Sequence, residues 1–347
     1  MDLGNNTNIR LNPHDEYMHP IEDVSNFNES MYINCFDHET KMGGWFRVGN
    51  RPNEGHAEMS CCVYLPDGRV GFMFQRPTLT HNEALDSGGM KFSVISPFKH
   101  LRVTYEGELC VLNTPQDMDN PKQAFSANPK VNTKISIDFF NIAPVYGGEM
   151  VDDNGKPIEE APEESFARAH YEQHMKAEGV IQIGAEHYPI NGLGMRDHSW
   201  GPRYWQNLYW YRWLPMCFSE DFAMNISVVT MATGKQYVWG MVLRMDEYGD
   251  KDYVLIEDAT ITSTLDAQNQ AIGQEIWLKT HEREYTVSGK SLSLIPLRNR
   301  RTLPDGNFLN TRITEAMSVF HCDGQQGYGM SEYLDQMVDG KPVGITC

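Results

Sequence analysis

Short stretches in which apolar and polar residues alternate, each ended by a turn signal, fill this sequence and constrain its fold more than any other feature. In "TKISIDFFNI", Ile135, Ile137 and Phe139 fall on one side, and Ser136, Asp138 and Phe140 on the other. Successive side chains of an extended chain point to opposite faces, so period two marks a half-buried strand. "AEMSCCVYL", "VGFMFQ", "LRVTYEG" and "ELCVLN" precede it. "NLYWYRWL", "FAMNISVVT", "QYVWGMVLRM", "YVLIEDATITST", "EIWLKTHEREYTV" and "NTRITEAMSVFHC" continue the style in the second half. "PDG" at 66–68 and 304–306, "YGG" at 146–148 and "DDNG" at 152–155 supply turns.

Long runs with helical spacing are absent, which argues against a doubly wound α/β fold. "EEAPEESFARAHYEQHMKAEG" (159–179) opens as a helix would, with acids near a proline and Gly179 as a stop, yet its second part also alternates as a strand. "SEYLDQMVDG" reads as a short helix or a last strand. A chain of 347 residues is comfortable for two domains. The Gly-, Pro- and acid-rich segment 147–165 is the best internal break. We expect an all-β protein with few short helices, built from two packed β-domains, residues 1–177 and 178–347. The binding site is expected where they meet.

The net charge of −18 argues against a nucleic-acid partner, which needs clustered Lys and Arg, and against docking on an anionic membrane. Seven scattered cysteines with no C-x-x-C spacing fit free thiols in a reducing compartment. The N-terminus has no basic region followed by an apolar core, and no run of 18 apolar residues occurs. The expected location is cytoplasmic, without membrane insertion.

"GMRDHSWGPRYWQNLYWYRW" (194–213) sets Arg196, Asp197, His198 and Arg203 among four of the seven tryptophans. Charges beside rings need partners to offset desolvation. Gly192 and Gly194 allow a sharp turn or a close approach to a neighbour. On a strand, Arg196 and His198 share one side, with Asp197 and Ser199 on the other. In an apolar pocket Asp197 would hold its proton near neutrality and act as general acid, with His198 as partner or base. Arg196 and Arg203 would set charge and orientation. Trp200, Tyr204, Trp205 and Trp210 would shape the wall. The alternative is a buried Arg–Asp–His–Trp network that only pins two domains together, with the rings as core.

Glu172 or Glu332 is the expected second carboxylate. Glu315 is a further one, although a solvated strand face is the commoner fate of such acids. On a strand His170, Glu172 and His174 face one way, a two-histidine, one-carboxylate metal pattern; on a helix Glu172 would point away. His56 and Glu58 form a weaker pair. The G-x-S-x-G elbow, the phosphate loop and a strand-linked G-x-G-x-x-G are missing.

Around "GVIQIGAEHYPINGLGMRDHSWGPRYW" the chain resembles the lipocalin-like proteins grouped with carotenoid 1,2-hydratase (hydroxyneurosporene synthase) and AttH, above all bacterial members sharing "G-x-R-D-H-S-W-G-x-R". Arg196 through Gly201 is the specific part. "NESMYINCFD", "GGWFRVGNRPNEG", "LPDGRVGFMF" and "GYGMSEY" extend the likeness over most of the chain. The resemblance implies two lipocalin-like barrel or sandwich domains with an apolar cavity near their interface. Activities in that wider group, hydration of an isoprenoid double bond and pericyclic cyclisation of polyketide-derived substrates, need no cofactor. The expectation is therefore a cofactor-free acid–base enzyme, a hydratase or dehydratase, cyclase or isomerase, with no metal. Its substrate would be a hydrophobic small molecule such as a terpenoid, steroid-like or aromatic compound. The alternatives are a non-catalytic lipocalin-like carrier and a metal-dependent enzyme using His170, Glu172 and His174. A homodimer stays open.

Overall fold

In the computed structural model, which describes residues 8–158, 167–203, 208–246, 248–302, 306 and 308–346, the alternating stretches fall in strands. Eight of them run Phe27–Asp37 (β1), Met42–Arg51 (β2), His56–Tyr64 (β3), Val70–Gln75 (β4), His100–Leu112 (β5), Lys130–Asn141 (β6), Ala169–Ile183 (β7) and Glu186–Pro202 (β8). Each pairs antiparallel with the next, and β8 returns to β1, so the sheet closes into a barrel. Eight more follow: Leu208–Ser219 (β9), Phe222–Met231 (β10), Gln236–Met245 (β11), Lys251–Leu265 (β12), Ala271–Thr280 (β13), Glu284–Thr302 (β14), Phe308–Cys322 (β15) and Gln325–Val338 (β16). They close in the same up-and-down order, β16 pairing with β9. Closure gives each of these strands a partner on both sides, which is how an all-antiparallel chain avoids exposed edges.

Alternation decides what fills each barrel. Ile135, Ile137 and Phe139 point into the first with Met31, Ile33, Phe46 and Met59. Leu214, Met216, Ile226 and Leu278 fill the second. Each such side chain, taken fully from water, contributes about 1.5–3 kcal/mol. The outer faces of β1–β4 are apolar too. Tyr32, Phe36, Trp45, Tyr64 and Phe72 pack against Ile295, Met317, Tyr328 and Met330 of the second barrel. This third apolar layer joins the barrels, and it is why β1 is buried along its whole length.

Two glycines of the motif stretch are fixed by geometry. A Cβ at Gly194 would collide with the Asn34 backbone on β1, so β8 presses closely there. Gly201 takes φ +107°, a conformation reserved for glycine, and a Cβ there would lie 2.6 Å from Arg168 Cβ.

The segment that reads as helix or strand is strand from Ala169 onward; residues 159–166 lie outside the described part. "SEYLDQMVDG" is strand through Val338. The boundary expected at 177/178 falls inside β7, and the first barrel runs on to Pro202. Pro121–Ala127 is the one α-helix among the described residues. The six described cysteines are free and buried. No helix among the described residues is long and apolar enough to cross a membrane.

Candidate functional site

Strand alternation splits the RDHSWG motif between two environments. Arg196 and His198 stand opposite Ile33 and Met31, whose side chains fill the first barrel, so both point into that barrel's mouth. Asp197 faces the other way and lines a cavity of about 760 Å³ between the barrels. Tyr32, Trp45 and Phe72 wall the cavity on one side, Tyr211, Trp213 and Leu297 on the other. Among these rings stand Arg47, Glu58, His170, Glu172, Asp197, Arg203, Glu315 and Glu332.

Glu315 and Glu332 are opposite one another in the β15–β16 ladder. Burial first, and then the charge of Glu332, push the Glu315 carboxyl well above the usual carboxylate range. Burial also lifts Glu332, to about 7, although Tyr211 donates its hydroxyl hydrogen to Glu332 Oε1 and opposes the rise. Such a pair holds a proton at neutral pH, which suits a general acid. Glu172 accepts from Trp213 Nε1 at 2.8 Å and from Asn225 Nδ2 at 2.9 Å. Its burial raises its pKa. His170 Nε2 sits 3.7 Å from Asp197 Oδ2. Burial disfavours the imidazolium, but the Asp197 hydrogen bond and the carboxylates Glu172 and Asp197 outweigh it and raise the His170 pKa.

Behind β8, in the barrel mouth, lies a continuous polar network. Arg196 grips both Glu16 carboxylate oxygens and donates to Gln173 Oε1 at 2.8 and 3.1 Å. The Tyr171 hydroxyl is 3.0 Å from His198 Nδ1. Glu29 Oε1 lies 3.0 Å from His198 Nε2 and 2.8 Å from His19 Nδ1. His19 stacks on Trp200 with ring centres 3.8 Å apart. The segment from Pro13 to His19 is thereby tied across the mouth.

His19, Glu29 and His198 bring two imidazole nitrogens and a carboxylate oxygen within 4.8 Å of one another, a ligand set suited to a divalent transition metal. Outer partners hold the ligands: Asn82 Nδ2 donates to Glu29 Oε2 at 2.5 Å, and Tyr171 holds the far nitrogen of His198. Burial works against the Glu29 carboxylate, but the two histidines outweigh it and bring its pKa down to about 2, the ionised form a metal needs. The expectation of a cofactor-free enzyme is corrected on this cluster.

The trio His170, Glu172 and His174 does share one strand face, but it does not converge. His174 Nδ1 is 2.9 Å from the Tyr253 hydroxyl and its Nε2 is 3.2 Å from the Met224 carbonyl oxygen. Burial lowers the His174 pKa to about 4. Trp200 sits in the barrel mouth, and Trp210 packs under the Arg212 guanidinium, 4.9 Å away, so neither ring walls the cavity. Trp213 takes the place expected of Trp210. Arg203 does line the cavity, its Nη2 donating to Ser199 Oγ at 2.5 Å. Tyr204 and Trp205 lie outside the described residues. Glu58 lies between Arg47 and Arg76, and His56 Nε2 is 4.0 Å from it.

The sequence offers Glu315 as a further carboxylate against a solvated strand face, and the structure places it in the cavity; Arg47, Tyr211, His19 and Glu29 are functional candidates that the sequence reading does not single out. One signal was present. Asp323–Gly324, both with positive φ, form a tight hairpin turn, and counting outward from it pairs Glu315 with Glu332.

Residues 12–337 match the family model of the domain of unknown function DUF7064. No curated protein matches the sequence. Among solved structures, an AttH candidate from Nitrosomonas europaea superposes with a TM-score of 0.58 at 13% identity, over 96% of this chain and 97% of that one. CghA gives 0.55 at 10% identity, over 90% and 89%. Kievitone hydratase from Nectria haematococca gives 0.54 at 9%, over 91% and 93%. At these identities the similarity is one of fold.

Proposed function

This chain belongs to the DUF7064 family, and we propose that it is a metal-binding enzyme that adds water to, or removes it from, a hydrophobic small molecule held between its two barrels. The observation that carries this reading is the Glu315–Glu332 pair, a proton-holding acid set among aromatic rings in a cavity large enough for such a molecule. That a protein of the same fold is named kievitone hydratase supports the class of reaction.

In the direction of hydration, the Glu332 carboxyl gives its proton to one carbon of a double bond. The rings of Tyr32, Trp45 and Trp213 face the carbon that becomes cationic, and a ring face stabilises such a charge. Water adds to that carbon and releases its proton to the His170–Asp197 pair or to Glu172. Elimination runs the same path backwards. A divalent cation on His19, Glu29 and His198 would fix the Pro13–His19 segment and the back of β8, so that Asp197 on the front face is held still. We further propose a cytoplasmic location, in keeping with six buried free thiols.

The test is turnover in ¹⁸O-labelled water with kievitone, isoprenoid alkenes and an acyclic carotenoid, read by mass spectrometry. The reading expects label in product with the wild type and its loss in Glu332→Gln. Bound ligand recovered unchanged in every case would make the protein a carrier, and full turnover in folded Glu315→Gln and Glu332→Gln would remove the pair from the chemistry.

A further inference from the structure

The cavity is richer in guanidinium groups than a chain of net charge −18 would lead one to expect: Arg47, Arg76, Arg203, Arg298 and Arg300 all line it. Arg47 rises from β2 between Tyr32 and Ser60, two residues along from Trp45 on the same face. Its guanidinium folds over Gly49, where a Cβ would come within 2.8 Å of Nη2. Nη1 reaches Glu58 Oε2 at 3.4 Å, but the other Glu58 oxygen is held by Arg76 at 2.9 Å. One carboxylate thus serves two guanidiniums, and one positive charge is left over.

Among the described residues, Arg47 Nη2, Ser227 Oγ and Glu315 Oε2 are buried polar atoms of cavity-lining side chains that have no hydrogen-bond partner. A buried donor without a partner is costly, and a ligand that supplies one recovers that cost. Glu315 and Glu332 are poor counter-ions, because burial keeps their pair proton-bearing. Burial, and then the like charge of Arg47, bring the Arg203 guanidinium down to about 9, so the two cations feel one another across the cavity.

We infer that the molecule bound there is an apolar body carrying a carboxylate, seated on Arg47 Nη2 beside the Glu315 carboxyl. This deepens the proposed function and rests on its cavity being the binding site. The anion would accept from Arg47 Nη2, and from the Glu315 hydroxyl when that carboxyl is protonated, while the apolar body lies against Trp45 and Trp213. Substrate selection then turns on Arg47, through a charge-assisted hydrogen bond.

A matched pair of probes tests this: 1-pyrenebutyric acid and 1-pyrenebutanol, with the same ring body and chain, titrated at pH 7.5 and read by energy transfer from tryptophan. The acid is expected to bind about tenfold or more tightly than the alcohol. Arg47→Gln should erase that ratio by weakening the acid far more than the alcohol. Should Arg47→Gln fail to fold, Arg47→Lys keeps the charge but not the fork, and should narrow the ratio. Equal affinities in the wild type, or an acid preference untouched by either variant, would overturn the inference and leave the cavity reading standing. Binding of neither probe would overturn both.

Discussion

Glu315 and Glu332 stand directly across the β15–β16 ladder from each other, and both carboxyls enter the cavity between the barrels. Like charges in that relation repel, and burial adds to the cost. The pair therefore lowers the stability of the fold in exchange for a proton held near neutral pH. Replacing Glu332 by Gln removes the charge, and we expect stability at pH 8 to rise by roughly 1 kcal/mol. Turnover in the same variant should fall about 10²-fold or more. Thermal melting at pH 8 beside a turnover assay checks both; a variant that is both less stable and fully active contradicts the assignment.

The same carboxyl sets a pH dependence. Burial raises the folded pKa of Glu332 to about 7, above the ordinary 4.5. A group with a raised pKa gives stability that is present below its unfolded value and is lost as pH rises through its folded one. Stability from Glu332 should thus decline from about pH 4.5 to about pH 7 and then level off. Activity that needs the protonated acid should decline through about pH 7. The Glu332→Gln protein should lack that segment of the stability profile, which denaturant midpoints measured across the range will show.

Much of the architecture was legible because alternation is a local property. The faces of Ile135, Ile137 and Phe139 follow from spacing alone, and so does the shared side of Arg196 and His198. What spacing could not tell is which layer each side meets. β8 is packed on both faces, against the barrel interior and against the inter-barrel space, so no polar face marks the outside. Asp197 therefore reached the cavity while Arg196 and His198 turned away from it. Trp210 and Trp213 sit on opposite sides of one strand, and composition gave both equal claim to the wall. Glu29 and His19 are far from His198 along the chain, and only closure of β8 onto β1 brings them together.

The Arg196–Glu16 pair is fully buried, with each side chain at 1% exposure or less. Removing one partner of a buried pair strands the other charge and costs about 3–5 kcal/mol. Glu16→Ala should therefore destabilise strongly, since Arg196 keeps only Gln173 and Tyr171 as acceptors. The double variant Glu16→Leu with Arg196→Met should recover much of that loss. Urea midpoints of the three proteins form the check. A Glu16→Ala protein as stable as the wild type would mean that the Pro13–Glu16 segment does not seal the barrel mouth.

The cluster of His19, Glu29 and His198 makes the last prediction. Its ligand atoms lie within 4.8 Å of one another, and small shifts of the rings would bring all three to normal metal–ligand distances. Protein purified without chelator and equilibrated with zinc should hold about one equivalent after desalting. Glu29→Gln should hold far less, because the amide is a poor ligand and no longer offsets the cation's charge. Chelation should lower the melting temperature of the wild type by several degrees, since a bound metal would join residue 19 to β1 and β8 and would bind only the folded chain. Elemental analysis reads the stoichiometry and calorimetry the shift. Equal zinc in the wild type and Glu29→Gln, or no shift on chelation, would leave Glu29 as a hydrogen-bond bridge between two histidines and nothing more.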